Sequence, residues 1–153
     1  MPAPNMFVHA VYIAALAFDD HRRDDTRELY LTHSLDVAQA LGPDATVPEL
    51  STAVLHDVLE DTDWTKADLA ESGVEATVLE AVETLTRRPD EKHEDFVARI
   101  CATPGAVGVT AQRVKLADLG VNLASADSDE ERTRLERSIP IVRGALERNR
   151  GSL

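Results

Sequence analysis

Apolar residues recur at steps of three and four through almost the whole chain, and no stretch of useful length alternates apolar with polar. That spacing puts side chains on one face of an α-helix, whereas a half-buried strand needs a period of two. Ala, Leu and Val dominate, aromatic residues make up only 4%, and Gly and Pro number seven each, a mixture that favours packed helices over sheets. The expected fold is therefore all-α. At 153 residues the chain is long enough for one substantial core, and it shows no internal repeat or low-complexity segment. Residues 1–153 are read as a single domain, a helical bundle of about seven to eight helices.

The N-terminal "MPAPNMFVHAVYIAALAF" supplies the first helix, with Phe7, Val11, Ala14, Ala15 and Phe18 on its apolar side; it lacks the basic start of a signal peptide. After the charged loop "DDHRRDDTRE", the stretch "LTHSLDVAQAL" gives a second helix with Thr32 as N-cap, and "GPDATVP" ends it. A third helix is expected from about Pro48 to Asp61. A short one is capped at Thr65 and stopped at Gly73, and "VEATVLEAVETLTR" resumes the helical period. "HEDFVARICA" follows a loop, "TPGAVG" reads as a break, and "TAQRVKLADLGVNLA" is the next helix. The last helix follows Ser128 and carries Pro140 in its interior, where a kink is expected.

The formal net charge of −12 repels nucleic acid and anionic lipid, so neither is an expected partner. No apolar run approaches the roughly 18 residues of a membrane span, and the lone Cys101 excludes an internal disulfide. A cytoplasmic setting is expected. The same charge would repel a phosphorylated ligand, so any phosphate site must rest on a bound cation and a few local Arg or Lys residues.

Against this background "HDVLEDT", residues 56–62, places a histidine and three carboxylates in a stretch that otherwise reads as an apolar helix. On a continuous helix His56 lies beneath Glu60 and Asp57 beneath Asp61, giving one polar strip on or beside a buried face. Ionised carboxylates are rarely left unpaired there, and a metal ion or a strong local cation resolves the conflict. "VKLADLGVNL" repeats the device, with Lys115, Asp118 and Asn122 at three- and four-residue steps. Lys115 either snorkels from an apolar helix or meets a phosphate or a carboxylate. His33 sits early in the second helix. Two imidazoles and two carboxylates suit a borderline divalent ion such as manganese, iron or zinc better than calcium or magnesium.

The set His33, His56-Asp57 and Asp118 resembles the metal-binding signature of the HD superfamily of phosphohydrolases, which are helical proteins. The fuller form "HDxxED", with "VKLAD" and an Asn one turn later, is similar to the hydrolase domain of RelA/SpoT homologues and small alarmone hydrolases. The resemblance runs from about residue 7 to residue 146. It implies one HD domain in which His33, His56, Asp57 and Asp118 hold one divalent transition-metal ion, manganese foremost, with iron, zinc, cobalt or nickel as alternatives. It implies that Glu60 and Asp61 are the catalytic acidic pair and that Asn122 contacts a small phosphorylated nucleotide. The implied reaction is removal of the 3′-pyrophosphate of guanosine tetraphosphate. The alternatives are a phosphatase for another nucleotide or phosphorylated dinucleotide, and a nucleotide-sensing module without turnover.

The sequence departs from that pattern in places. The loop "HRRDDTRELYLTH" is shorter than the family's and lacks its Arg-Lys pair; Arg22, Arg23 and Arg27 either replace its charge, with Arg22, Arg23 and Lys115 as the expected substrate contacts, or form an ordinary charged loop. His33 is followed by Ser34 where the family has proline, and Leu135 stands where the family has a tyrosine that supports the base.

Overall fold

In the computed structural model, which describes residues 5–152, the helices are α1 (Met6–Phe18), α2 (Tyr30–Ala40), α3 (Val47–Leu55), α4 (Val58–Asp61), α5 (Lys66–Glu71), α6 (Ala76–Thr84), α7 (His93–Ala102), α8 (Gly105–Ser125) and α9 (Asp129–Gly151). The all-α expectation holds. The first four residues of the expected first helix and Leu153 lie outside the described residues.

Helix α3 is the axis of the bundle. Thr46 caps it reciprocally with Glu49, the threonine hydroxyl accepting from the Glu49 amide and the glutamate from the Thr46 amide, which satisfies two otherwise orphaned donors. Ser51, Thr52, Ala53, Val54 and Leu55 are all buried, and α3 packs against α1, α2, α6 and α8. A helix covered on all sides belongs in a core; burying the Leu55 side chain alone contributes about 1.5–3 kcal/mol. A second apolar cluster, built on Val97, Leu119, Leu135 and Val142, joins α7, α8 and α9.

The structure revises several sequence-based boundaries. Among the described residues there are nine helices because the helix expected from Pro48 to Asp61 is divided at His56 and Asp57. Asp57 adopts φ −99° and ψ −2°, the sparsely populated bridge conformation in which many active-site residues sit. Helix α2 begins two residues before Thr32, behind Leu29, so Thr32 is not its cap. Helix α1 buries Met6, Ala10, Ile13, Ala14, Ala17 and Phe18, so its inner face is rotated from the expected one and Ala15 is exposed.

Helix α8 starts at Gly105, inside the expected break, because Gly108 lets its first turn run close beneath the Thr103 carbonyl. A Cβ there would lie 1.9 Å from that oxygen. Helix α9 starts after Ser128 as expected, its hydroxyl accepting from the Glu131 amide, and it continues through Pro140.

Candidate metal centre

The break between α3 and α4 gives the His-Asp pair its geometry. His56 closes α3, and its Nδ1 lies 2.6 Å from the Ala53 carbonyl. A carbonyl only accepts, so Nδ1 carries a proton. That leaves Nε2 pointing into the protein, 3.2 Å from Asp57 Oδ2 and 3.5 Å from Asp118 Oδ1 but hydrogen-bonded to neither. Orienting one ring nitrogen through a backbone acceptor is the usual way a ligand histidine is held.

His33 enters from α2 and Asp118 from α8. His33 Nε2 donates to Asp118 Oδ1 at 3.1 Å and lies 3.8 Å from Asp57 Oδ2. The two imidazoles face each other with ring centroids 5.6 Å apart. One donor atom from each of His33, His56 and Asp118 falls within a sphere of mutual separations below 4.8 Å. All three residues are at least nine-tenths buried.

The electrostatics favour positive charge here. Burial penalises charge at Asp118, yet Lys115 and the two histidines hold its carboxyl well below the usual range. Asp57 is likewise lowered, chiefly by His56 against the cost of burial. At His56 burial opposes protonation, but Asp57 and Asp118 raise its pKa well above the ordinary histidine value. A proton on His56 meets the demand of the two carboxylates, and a divalent ion meets it with two charges. The orphaned buried Nε2, the two carboxylates and the second imidazole form a nitrogen-oxygen set that fits a borderline transition metal.

These residues floor a cleft of about 320 Å³. Its wall holds the acidic pair from α4. The Asp61 amide donates to the Asp57 carbonyl, so one turn separates them, and carboxylate oxygens of Asp57, Glu60 and Asp61 lie within 4.8 Å of one another. Burial and the charges of Asp57 and Glu60 push Asp61 up to about 7; burial, and then Asp57, also raises Glu60. A pKa near the working pH suits a general base. The expected continuous strip is divided, however. His56 turns to the buried floor while Glu60 stands on the exposed rim, accepting from the Arg87 amide at 2.8 Å.

On the opposite side, Lys115 Nζ lies 3.2 Å from Asp118 Oδ2 and 5.1 Å from the Phe96 ring centroid, so it meets a carboxylate. Asn122 Nδ2 donates to Asp118 Oδ1 at 3.0 Å. Arg23 donates from Nη1 to His33 Nδ1 at 2.8 Å and from Nη2 to Asn122 Oδ1 at 3.1 Å.

Arg22 is not brought to the cleft. Its Nη1 bonds the Arg27 carbonyl at 3.0 Å, and its backbone pairs with Leu29 in an isolated bridge. His21 is exposed, and Trp64 packs against the main core. Sequence reasoning did not single out Tyr30, Leu85, Phe96 and Val114, which also line the cleft. Tyr30 was detectable, because it lies one turn before His33 on the same helix face. It stacks on Phe18 at 5.3 Å, and burial together with Asp61 and Asp57 pushes its hydroxyl up to about 12.

No family model and no curated protein matches the chain. Among solved structures it is similar to a metazoan ortholog of SpoT, a protein that hydrolyzes ppGpp and plays a role in starvation responses. The TM-score is 0.73 at 23% identity, and the match covers 100% of this chain and 99% of that one. The likeness establishes a shared all-helical fold over the whole length.

Proposed function

We propose that the chain is one HD domain that binds a single divalent transition-metal ion, manganese first, and hydrolyses the 3′-pyrophosphate of guanosine tetraphosphate. The observation that carries this reading is His56, whose Nδ1 proton is committed to Ala53 while its buried Nε2 has no hydrogen-bond partner between Asp57 and Asp118. His33, His56, Asp57 and Asp118 would hold the ion. When bound, the ion supplies Lewis acidity toward a phosphoryl oxygen and toward water. The ppGpp-hydrolysing protein of the same fold supports the choice of substrate, and the single cysteine suits a cytoplasmic setting.

The chain's own residues supply the rest. Asp61, with Glu60 beside it, takes the proton of a water as its oxygen attacks the phosphorus attached to the 3′-oxygen. The bond between that phosphorus and the 3′-oxygen breaks, pyrophosphate departs, the 3′-oxygen takes a proton from solvent water, and Asp61 returns its own to solvent. Arg23, Lys115 and Asn122 hold phosphate oxygens in line. A second reading, hydrolysis of another phosphorylated nucleotide, draws on Asp24 and Asp25, which share the cleft lining with Arg23 and weaken a grip on the most highly charged substrates.

The test is phosphate and pyrophosphate release, with manganese, from guanosine tetraphosphate, nucleoside mono-, di- and triphosphates and phosphorylated dinucleotides, comparing wild type with Asp118→Ala. Pyrophosphate from the tetraphosphate, lost in the variant, is the expected result. Phosphate from another member instead keeps the ion and discards this substrate. Silence across the panel with metal bound discards catalysis in favour of nucleotide sensing.

A further inference from the structure

The segment between α6 and α7 reaches the acidic pair from outside, and little of it is buried: Arg87, Arg88, Pro89 and Asp90 are all exposed. Asp90 even adopts φ 64°, a left-handed conformation that non-glycine residues rarely hold. Nevertheless the Arg87 amide is placed 2.8 Å from Glu60 Oε1. Something other than core packing must fix this loop.

The fixing group is Arg99, on the inward side of α7 between buried Phe96 and Ile100. Its Nη1 donates to the Thr84 carbonyl at 3.0 Å, and its Nη2 donates to the Thr86 carbonyl at 3.0 Å and to Glu91 Oε1 at 2.9 Å. Nε donates to Glu91 Oε2 at 2.9 Å. Glu91 in turn closes the turn, its Oε1 accepting from the Arg88 amide at 3.1 Å and its carbonyl from Arg87 Nε at 2.6 Å. One planar guanidinium thus ties both ends of the loop to a rigid helix, a fork geometry that a lysine cannot reproduce.

The decisive detail is a single peptide unit. The Thr86 carbonyl and the Arg87 amide belong to the same plane, which rotates as one body. Arg99 grips the oxygen of that plane and Glu60 receives its N–H. Any shift at the carbonyl therefore moves the donor. A charged donor on the carbonyl also polarises the amide and strengthens its N–H toward the carboxylate.

We propose that Arg99 is a positioning residue for the reaction, setting the orientation of the Glu60 carboxylate through the Thr86–Arg87 peptide plane. The proposal rests on the reading of Glu60 as a member of the catalytic pair. Arg99 belongs neither to the ligand set nor to the cleft lining, which it meets only where its guanidinium lies 5.4 Å from the Phe96 ring centroid, so its effect falls on turnover and not on metal content.

The experiment combines amide hydrogen exchange at Arg87 with steady-state kinetics in Arg99→Lys and Arg99→Gln. Arg113→Gln serves as the control, because Arg113 is a similarly buried arginine bonded to Glu49 and the Leu41 carbonyl away from the cleft. In both Arg99 variants Arg87 exchange accelerates about tenfold as its hydrogen bond loosens. Their kcat falls about 10- to 100-fold with KM nearly constant and manganese retained, and the lysine does not rescue. In Arg113→Gln neither Arg87 exchange nor kcat moves in this way.

Unchanged Arg87 exchange in the Arg99 variants overturns the proposal, as does an equal kcat loss in Arg113→Gln. Exchange needs no turnover, so a wild type silent on every substrate defeats the assigned reaction while the clamp is still judged by the amide alone.

Discussion

Replacing Asp118 with asparagine separates an ion site from a hydrogen-bond network, because it keeps the shape and removes the charge. In the wild type, free manganese at about 100 times Kd stabilises the folded state by about 2.7 kcal/mol. In a chain of this length each kcal/mol moves Tm by about 2–4 °C, so the expected manganese shift is about 5–11 °C. In Asp118→Asn the amide oxygen still accepts from His33 Nε2 and Asn122 Nδ2, which lie 3.1 Å and 3.0 Å from Oδ1. Its nitrogen, however, replaces the oxygen 3.2 Å from the Lys115 ammonium, and donor then faces donor. The variant should lose about 1–3 kcal/mol without metal and show no manganese shift. Glu60→Gln, whose side chain binds the Arg87 amide on the rim, should keep the full shift. Differential scanning fluorimetry in chelator and in manganese, with metal content by elemental analysis, measures both. A wild-type shift in Asp118→Asn, or its loss in Glu60→Gln, refutes the division into ligands and base.

Asp61, pushed up to about 7, binds its proton more tightly folded than unfolded, so its contribution to stability falls as pH rises from the ordinary aspartate value to about 7 and stays constant above. Asp61→Asn should therefore be more stable than wild type in chelator at pH 8, the gain fading toward pH 4 and shrinking when manganese offsets the charge of Asp57; equal Tm values at pH 8 would sink the argument. Arg23 presents its guanidinium to His33 Nδ1, which places the imidazole proton on Nε2, the atom a metal would take. Arg23→Ala should keep manganese at or above the wild-type level while KM for a phosphorylated nucleotide rises about tenfold, and loss of metal from this variant would show that Arg23 supports the ion site instead of competing for it.

What was legible in the sequence was whatever depends on period. Apolar steps of three and four placed the helices, and the same steps placed Lys115, Asp118 and Asn122 on one face, where they now bond one another. Period is blind to small backbone changes that preserve it. The division at His56 and Asp57 leaves the apolar spacing intact, so a continuous helix was expected although His56 turns to the floor and Glu60 to the rim. It is equally blind to direction within a loop. Arg22 and Arg23 are adjacent and chemically identical, and the bridge between Arg22 and Leu29 decides which one reaches His33. The breakers in "TPGAVG" predict a loop, whereas Gly108 serves close packing against Thr103. The Arg99 clamp was invisible because its acceptors are backbone carbonyls, which carry no residue-type signal.

The charge balance of the cleft orders its ligands. Among the described residues, Asp24, Asp25, Asp57, Glu60, Asp61 and Asp118 line it against Arg23, Lys115 and a His56 whose proton Asp57 and Asp118 favour, and the whole chain carries −12. Two like charges 4 Å apart repel by about 4 kcal/mol at an effective dielectric constant of 20, so a polyphosphate entering the metal-free cleft meets a net penalty that these few cations do not remove. Lys115 is already engaged with Asp118 and Arg23 with His33. A divalent ion held at the floor by Asp118 and its neighbours would add two positive charges and compete with Lys115 for Asp118. The ammonium would then be free to face a phosphate. Phosphorylated ligands should therefore bind after the metal and weakly without it, the metal ion being the condition for admitting a polyanion to so acidic a cleft.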